Sequence, residues 1–141
     1  MLPDWLPGWC QEHLGAAPAG MLFGLEQISA VFGLRLTSGT RVVVKARGDD
    51  GRAVSCVAAQ AQLADRGFPC ARPLTPVVAV GSLAVHAEEF RPGGDVLHGD
   101  TPDVAVRYAE VFAALTAGLA GVTVAPVCPR WRRSTVPRRS W

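Results

Sequence analysis

The sequence predicts an α+β fold: a five-stranded antiparallel sheet, one helix inserted after the third strand, and a second helix following the fifth. Three observations carry this expectation. Residues 25–46 hold three short apolar or alternating runs joined by tight turns, the signature of a meander. At residue 52 the apolar period switches from two to 3.6 and holds to residue 66. Two further apolar runs then flank Gly81-Ser82, ahead of a threonine–proline helix start at Thr101.

A short helix over residues 4–15 carries Trp5, Leu6, Trp9 and Leu14, although Pro7 and Gly8 weaken it. Residues 20–24 lead into a first strand at 25–28. The second, at 30–36, places Val31, Gly33 and Arg35 on one face and Phe32, Leu34 and Leu36 on the other. Thr37-Ser38-Gly39-Thr40 is a compact turn, and residues 41–46 form the third strand. Gly48-Asp49-Asp50-Gly51 breaks the sheet and offers an aspartate as helix cap. The helix over 52–66 lines Val54, Val57, Ala58, Ala61 and Ala64 on one face, with Leu63 beside them. Gly67 stops it and Phe68-Pro69 prevents its resumption. Strands at 73–80 and 83–90 precede a loop, Arg91-Pro92-Gly93-Gly94. The last helix begins at Thr101-Pro102-Asp103 and shows a stripe of Tyr108, Val111, Phe112, Leu115 and Leu119. Beyond Gly121 the pattern gives way to a loose extension, and no internal repeat is visible.

At 141 residues, with 49% hydrophobic and 18% charged content, the chain suits one packed domain. It divides into a sheet-and-helix lobe over 1–94, a loop and helix over 95–122, and an irregular tail over 123–141. Net charge is +2, but the tail carries five arginines and no acid; the remainder has nine basic and twelve acidic residues, net −3. Such a body is a poor nucleic-acid surface, so nucleic acid is not the expected partner. No apolar run approaches the ~20 residues of a membrane span, and no basic leader precedes an apolar stretch, so a cytoplasmic location is expected. Cys10, Cys56, Cys70 and Cys128 form no close pair, and His86 and His98 lie away from all of them. The cysteines are expected as reduced, small apolar residues rather than metal ligands.

Lys45 is the single lysine among 14 basic residues, and it closes the β-branched run Arg41-Val42-Val43-Val44-Lys45. An ammonium at a strand end is a compact point charge suited to phosphate oxygens, although a solvated strand-end lysine has the same local sequence. A lysine ending the third strand, then a helix, then two strands leading to a Pro-Gly hinge, is the layout of a kinase small lobe. Three segments sharpen this: Val42-Val43-Val44-Lys45-Ala46, Leu63-Ala64-Asp65-Arg66-Gly67-Phe68-Pro69-Cys70-Ala71-Arg72-Pro73-Leu74, and Glu88-Glu89-Phe90-Arg91-Pro92-Gly93. Together they resemble the aminoglycoside phosphotransferase family, bacterial small-molecule kinases with a protein-kinase-like fold. The resemblance covers roughly residues 5–125 and only the amino-terminal lobe of such an enzyme.

The resemblance implies that Lys45 binds the phosphates of ATP and that Ser29 stands in the phosphate-covering loop. It also implies that Glu89, Phe90 and Arg91 form the hinge offering backbone to adenine. Magnesium would accompany ATP in the family, but its ligands are not in this chain. Departures accompany the likeness. The loop Glu26-Gln27-Ile28-Ser29-Ala30 has no glycine. The helix over 52–64 has no carboxylate to orient the lysine; the matching position is Cys56, with Gln60 one turn on. Lys45 therefore finds Asp49 or Asp50, relies on nucleotide phosphate alone, or has no phosphate role. Leu115 precedes threonine where the family often has histidine.

The resemblance also implies that phosphoryl transfer belongs to a second lobe, with a catalytic aspartate, an asparagine and a metal-binding aspartate. The chain ends before that lobe, so no catalytic or metal residue is assigned and an isolated, inactive small lobe is expected. Leu97-His98-Gly99-Asp100 spells the catalytic-loop motif but falls between hinge and helix, with no asparagine anywhere in the chain; it reads as a chance spelling. Glu88 and Glu89, adjacent on a strand, point to opposite faces and make no acid–base pair. The apolar face left for the second lobe implies self-association or a partner. The competing readings are a non-catalytic nucleotide- or protein-binding module, and a nucleic-acid contact through the arginine tail with its Trp131 and Trp141.

Overall fold

Alternating side chains and short turns generate a sheet in which each strand pairs with its sequence neighbour until a helix intervenes. The computed structural model describes residues 1–93, 98, 99 and 101–125. Its elements are α1 (Trp5–Leu14), β1 (Pro18–Glu26), β2 (Ala30–Leu36), β3 (Arg41–Gly48), α2 (Ala53–Asp65), β4 (Val78–Val80), β5 (Leu83–Glu89) and α3 (Pro102–Leu119). The five strands run antiparallel in the order β1-β2-β3-β5-β4. This is the expected α+β sheet with one inserted helix.

The two faces of the sheet serve different purposes. One face buries Phe32, Leu34 and Leu36 of β2, Val42, Val44 and Ala46 of β3, and Val85 and Ala87 of β5. Helix α1 covers this face with Leu6, Trp9 and Cys10, an i, i+3, i+4 triplet sunk into the core. Pro7 is tolerated because the first turn of a helix has no intrahelical acceptor for its amides. Trp5 meets Phe32 edge-on at 6.4 Å. Burial pushes the Cys10 thiol up to about 11, so it packs as an inert apolar group. The opposite face presents Val43, Lys45, His86 and Glu88 toward α2 and the candidate site.

Two strands differ from expectation. β1 begins at Pro18, well before residue 25, because the glycine-rich lead-in pairs with β2 through two register shifts. β4 shrinks to Val78–Val80. Pro73 and Pro76 lack the amide a ladder needs, and residue 73 keeps only an isolated bridge to Glu88.

Helix α2 begins without the expected aspartate cap. Asp49 Oδ1 instead accepts from the Gly51 amide at 2.9 Å and Asp50 Oδ1 from Arg52 at 3.0 Å, building the turn before the helix. Its buried side chains are Ala53, Ser55, Val57 and Leu63, while Val54 is exposed. The expected stripe is thus rotated, because α2 lies between the sheet and the segment after α3. Ser55 donates to the Ala125 carbonyl at 3.0 Å, and Gln62 exchanges bonds with Thr123 at 2.7 and 3.2 Å. Gly67, at φ 83°, ends the helix as expected: its amide reaches Ala64 and that of Phe68 reaches Leu63.

Helix α3 starts at Pro102 with Thr101 at the cap position, although the threonine hydroxyl makes no capping bond. It has no buried residue, and Val106, Val111 and Phe112 are well exposed. Arg66 ties its far end to α2, donating to the carbonyls of Gly118, Ala120 and Gly121 at 2.9–3.0 Å. Gly118 permits the close approach: a Cβ there would stand 2.9 Å from Leu63. Among the described residues, no helix is long and apolar enough to cross a membrane.

Candidate functional site

Lys45 lies on the face of β3 turned toward α2, its side chain 38% exposed. The β3–β5 register sets His86 directly opposite Lys45 and Glu88 opposite Val43. Lys45 and Glu88 are therefore diagonal neighbours on one face, within reach of long side chains. The Lys45 Nζ stands 2.6 Å from Glu88 Oε1. Gln60 of α2 donates from Nε2 to Glu88 Oε2 at 2.8 Å and to the Ala71 carbonyl at 2.7 Å. Helix, strand and lysine are thus joined through one carboxylate.

Of the alternatives the sequence leaves open for Lys45, pairing with Asp49 or Asp50 is the one this geometry excludes. Those acids are committed to the turn before α2, and Asp50 lies 3.4 Å from Arg47 Nη2. The partner is Glu88, which a sequence reading sets aside because Glu88 and Glu89 face opposite ways. They do. Glu89 Oε2 accepts from the Arg72 amide at 3.2 Å and lies 3.7 Å from Arg91 Nη1, while Glu88 turns inward to the lysine.

Burial drives the Glu88 carboxyl upward. His86, Lys45 and Gln60 outweigh burial and hold it down at about 2, against an ordinary 4.5. The site therefore carries a fixed carboxylate at neutral pH, and that carboxylate keeps the ammonium of Lys45 in place.

A cavity of about 240 Å³ opens beside this cluster, lined among others by Ser29, Lys45, Arg47, Cys56, Gln60 and His86. Ser29 and Lys45, two of the expected site residues, thus meet at one cavity. Ser29 sits in the β1–β2 turn, where its carbonyl accepts from the Gln27 amide at 3.2 Å. Arg47 and His86 were not singled out from sequence. Arg47 shares the face of Lys45 because it follows two residues later on β3, and His86 shares it because β3 and β5 pair in this register.

The expected hinge residues lie further along β5. Glu89 closes the strand and its amide donates to the Arg72 carbonyl at 2.9 Å. Phe90 follows, its ring centroid 4.8 Å from the Arg41 guanidinium and 6.3 Å from the Phe23 ring. Phe23 lies flat over Gly33, where a Cβ would fall 2.2 Å from the ring. Glu89 and Arg91 also line a separate hollow near Gly67 and Phe68. Of the catalytic-loop look-alike, Leu97 and Asp100 lie outside the described residues, as do Cys128, Trp131, Trp141 and the arginine tail. Among the described residues, no cluster of three or more His, Cys, Asp or Glu side chains could hold a metal ion.

Comparison with known proteins yields no matching family model and no matching curated protein. A solved structure does match: a protein from Thermobifida fusca described as a "putative fructosamine-3-kinase". The TM-score is 0.50 at 20% identity, over 81% of this chain and 39% of that one. The present chain therefore spans well under half of its structural neighbour. The likeness establishes the fold, that of a kinase-like amino-terminal lobe, and does not single out the aminoglycoside branch.

Proposed function

We propose that this chain is the nucleotide-binding lobe of a kinase that phosphorylates a hydroxyl of a small, sugar-like molecule, in the manner of the aminoglycoside phosphotransferases. The observation that carries this reading is the Lys45–Glu88–Gln60 cluster at the edge of the cavity that Ser29 also lines. A lysine held by a carboxylate and braced by a helix is a positioned cation, and positioning with charge neutralisation is most of what phosphoryl transfer asks of a protein.

The residues present fit an anionic cofactor such as ATP. Lys45, Arg47 and His86 are among the residues lining the cavity, and the neighbouring Glu88 carboxylate is already engaged by Lys45 and Gln60. Bound ATP, with magnesium, would supply the transferable phosphoryl group. Within this reading Lys45 orients the phosphates, Ser29 covers them, and Phe90 and Arg91 offer backbone to the base, with Glu89 fixing where the strand ends. In the aminoglycoside phosphotransferases acceptor contacts and the catalytic aspartates belong to a second lobe, and the role of the residues described here is to bind nucleotide.

The test is a titration of a fluorescent ATP analogue against the wild type and Lys45→Ala. The substitution is expected to weaken binding about tenfold or more, since charge-assisted bonds to phosphate are worth roughly 1.5–3 kcal/mol. Equal affinity in the two proteins removes the nucleotide role. A second reading, a non-catalytic module that docks a protein, draws on the exposed apolar stripe of α3.

A further inference from the structure

We infer that the ring of Phe23 is a plug over the base end of the proposed nucleotide site, and that a flat heterocycle enters only after this ring swings off the sheet. The inference rests on the nucleotide reading and assigns regulation to a residue which that reading leaves unused.

The two ends of the site bound the place where a base would lie. Lys45 marks the phosphate end, and the backbone after Glu89 marks the base end. Glu89 pairs with Val42 and His86 with Lys45, so the ends are about 10 Å apart along β3 at roughly 3.3 Å per residue. Between them the β3 side chain on the Lys45 face is Val43, whose partners are Gly33 on β2 and Glu88 on β5. Glu88 is turned to Lys45 and Gln60. The floor for a base is therefore Val43 and the bare backbone of Gly33.

That floor is already covered. Phe23 pairs with Gly33 across β1 and β2, and its ring lies where a Cβ on Gly33 would stand, 2.2 Å from the nearest ring carbon. Gly33 faces away from the core row of Phe32, Leu34 and Leu36, so the ring sits on the Lys45 side of the sheet. Val43, next in the same row, is only 8% exposed. At the strand end Phe90 continues the row, its centroid 6.3 Å from that of Phe23 and 4.8 Å from the Arg41 guanidinium. A heterocycle resting on Gly33 and the Phe23 ring need the same volume.

The ring is also placed where it can leave. Phe23 is 37% exposed, and Met21, Leu22 and Leu25 beside it on β1 are exposed as well. β1 is an edge strand, paired to β2 alone, and its register shifts between Met21 and Phe23, an irregularity that re-aims side chains. Phe23 lies outside the buried core cluster, so swinging it outward breaks no core contact. Sparsely packed edges of this kind are where local opening takes least free energy.

Calorimetric titration of the full chain with adenosine, inorganic triphosphate and ATP compares the wild type with Phe23→Ala. The variant is expected to bind adenosine and ATP about three- to tenfold more tightly, because an aromatic contact no longer has to be broken first. Triphosphate, which has no base, should bind both proteins alike. A second measurement needs no variant and covers the case in which Phe23→Ala fails to fold. The nuclear Overhauser contact between the Phe23 ring and the Gly33 α-protons, present in the free wild type, should vanish on saturation with adenosine.

Adenosine affinity that falls in Phe23→Ala makes the ring a stacking surface and overturns the inference. Equal affinity, or an Overhauser contact that persists at saturation, overturns it too; ATP binding that still weakens with Lys45→Ala then leaves the nucleotide proposal standing. Adenosine bound more tightly by Phe23→Ala, with ATP no tighter than adenosine and indifferent to Lys45→Ala, leaves the plug standing and removes the nucleotide proposal. Absence of adenosine and ATP binding in both proteins removes both.

Discussion

A carboxylate buried beside a lysine, an amide and an imidazole stays ionised only if those neighbours outweigh the cost of its burial. At Glu88 they do, and the consequence is a stability term with a definite pH window. The folded chain releases the Glu88 proton near 2 and the unfolded chain near 4.5, so between these values the unfolded chain binds more protons. Stability from this group is complete above about 4.5 and is lost as pH falls toward 2. Glu88→Gln is expected to cost about 1–3 kcal/mol at neutral pH and to flatten the acid limb of the stability curve over that window. Urea unfolding of both proteins from pH 2 to 7 measures it; parallel curves would show that Glu88 does not carry the term. None of this pairing was legible at the residue level. Lys45 stood out as the lone lysine, but its partner lies 43 positions along the chain, on a strand whose register no local pattern encodes.

At the scale of elements, close approaches decide where strands and helices settle. Phe23 of β1 rests on Gly33 of β2, where any side chain would meet the ring. Gly33→Ala is therefore expected to destabilise by about 1–3 kcal/mol, and Phe23→Ala combined with it should cost less than the two singles added. Strict additivity in that cycle would mean the ring does not lie there. The junction of α2 and α3 hangs on Arg66, which satisfies three carbonyls at the end of α3. Arg66→Ala should release that end, visible as faster amide exchange in the last turn of α3 with the sheet unchanged. Unchanged protection there would assign the docking of α3 to Gly118 against Leu63 alone. The Gly67 stop and the opposed faces of β2 were readable from sequence because each depends on a few adjacent residues. The rotated face of α2 was not, since the segment that covers it arrives from residues 121–125.

For the whole molecule, the telling feature is a helix with an apolar stripe and no buried residue. Phe112 is 64% exposed and Val106, Val111 and Leu119 are all exposed as well. An exposed apolar face of this kind is suited to covering by another protein surface, and a second copy of the chain offers one. Light scattering should therefore show concentration-dependent association that Phe112→Glu together with Val111→Glu suppresses. A clean monomer at high concentration, with no binding of an apolar-surface dye, would count against any docking role for α3.

The sequence by itself determined which segments become strands and which become helices, where α2 stops, and which face of the central strands enters the core. Those properties follow from periodicity and turn chemistry within a dozen residues, and the chain's likeness to a kinase small lobe was visible through them. Tertiary structure alone decided that Glu88 holds Lys45, that His86 lies across from it, and that α2 is covered by the segment after α3. Strand register and helix docking are settled by which distant apolar surfaces leave water together, and no short stretch of sequence contains that sum.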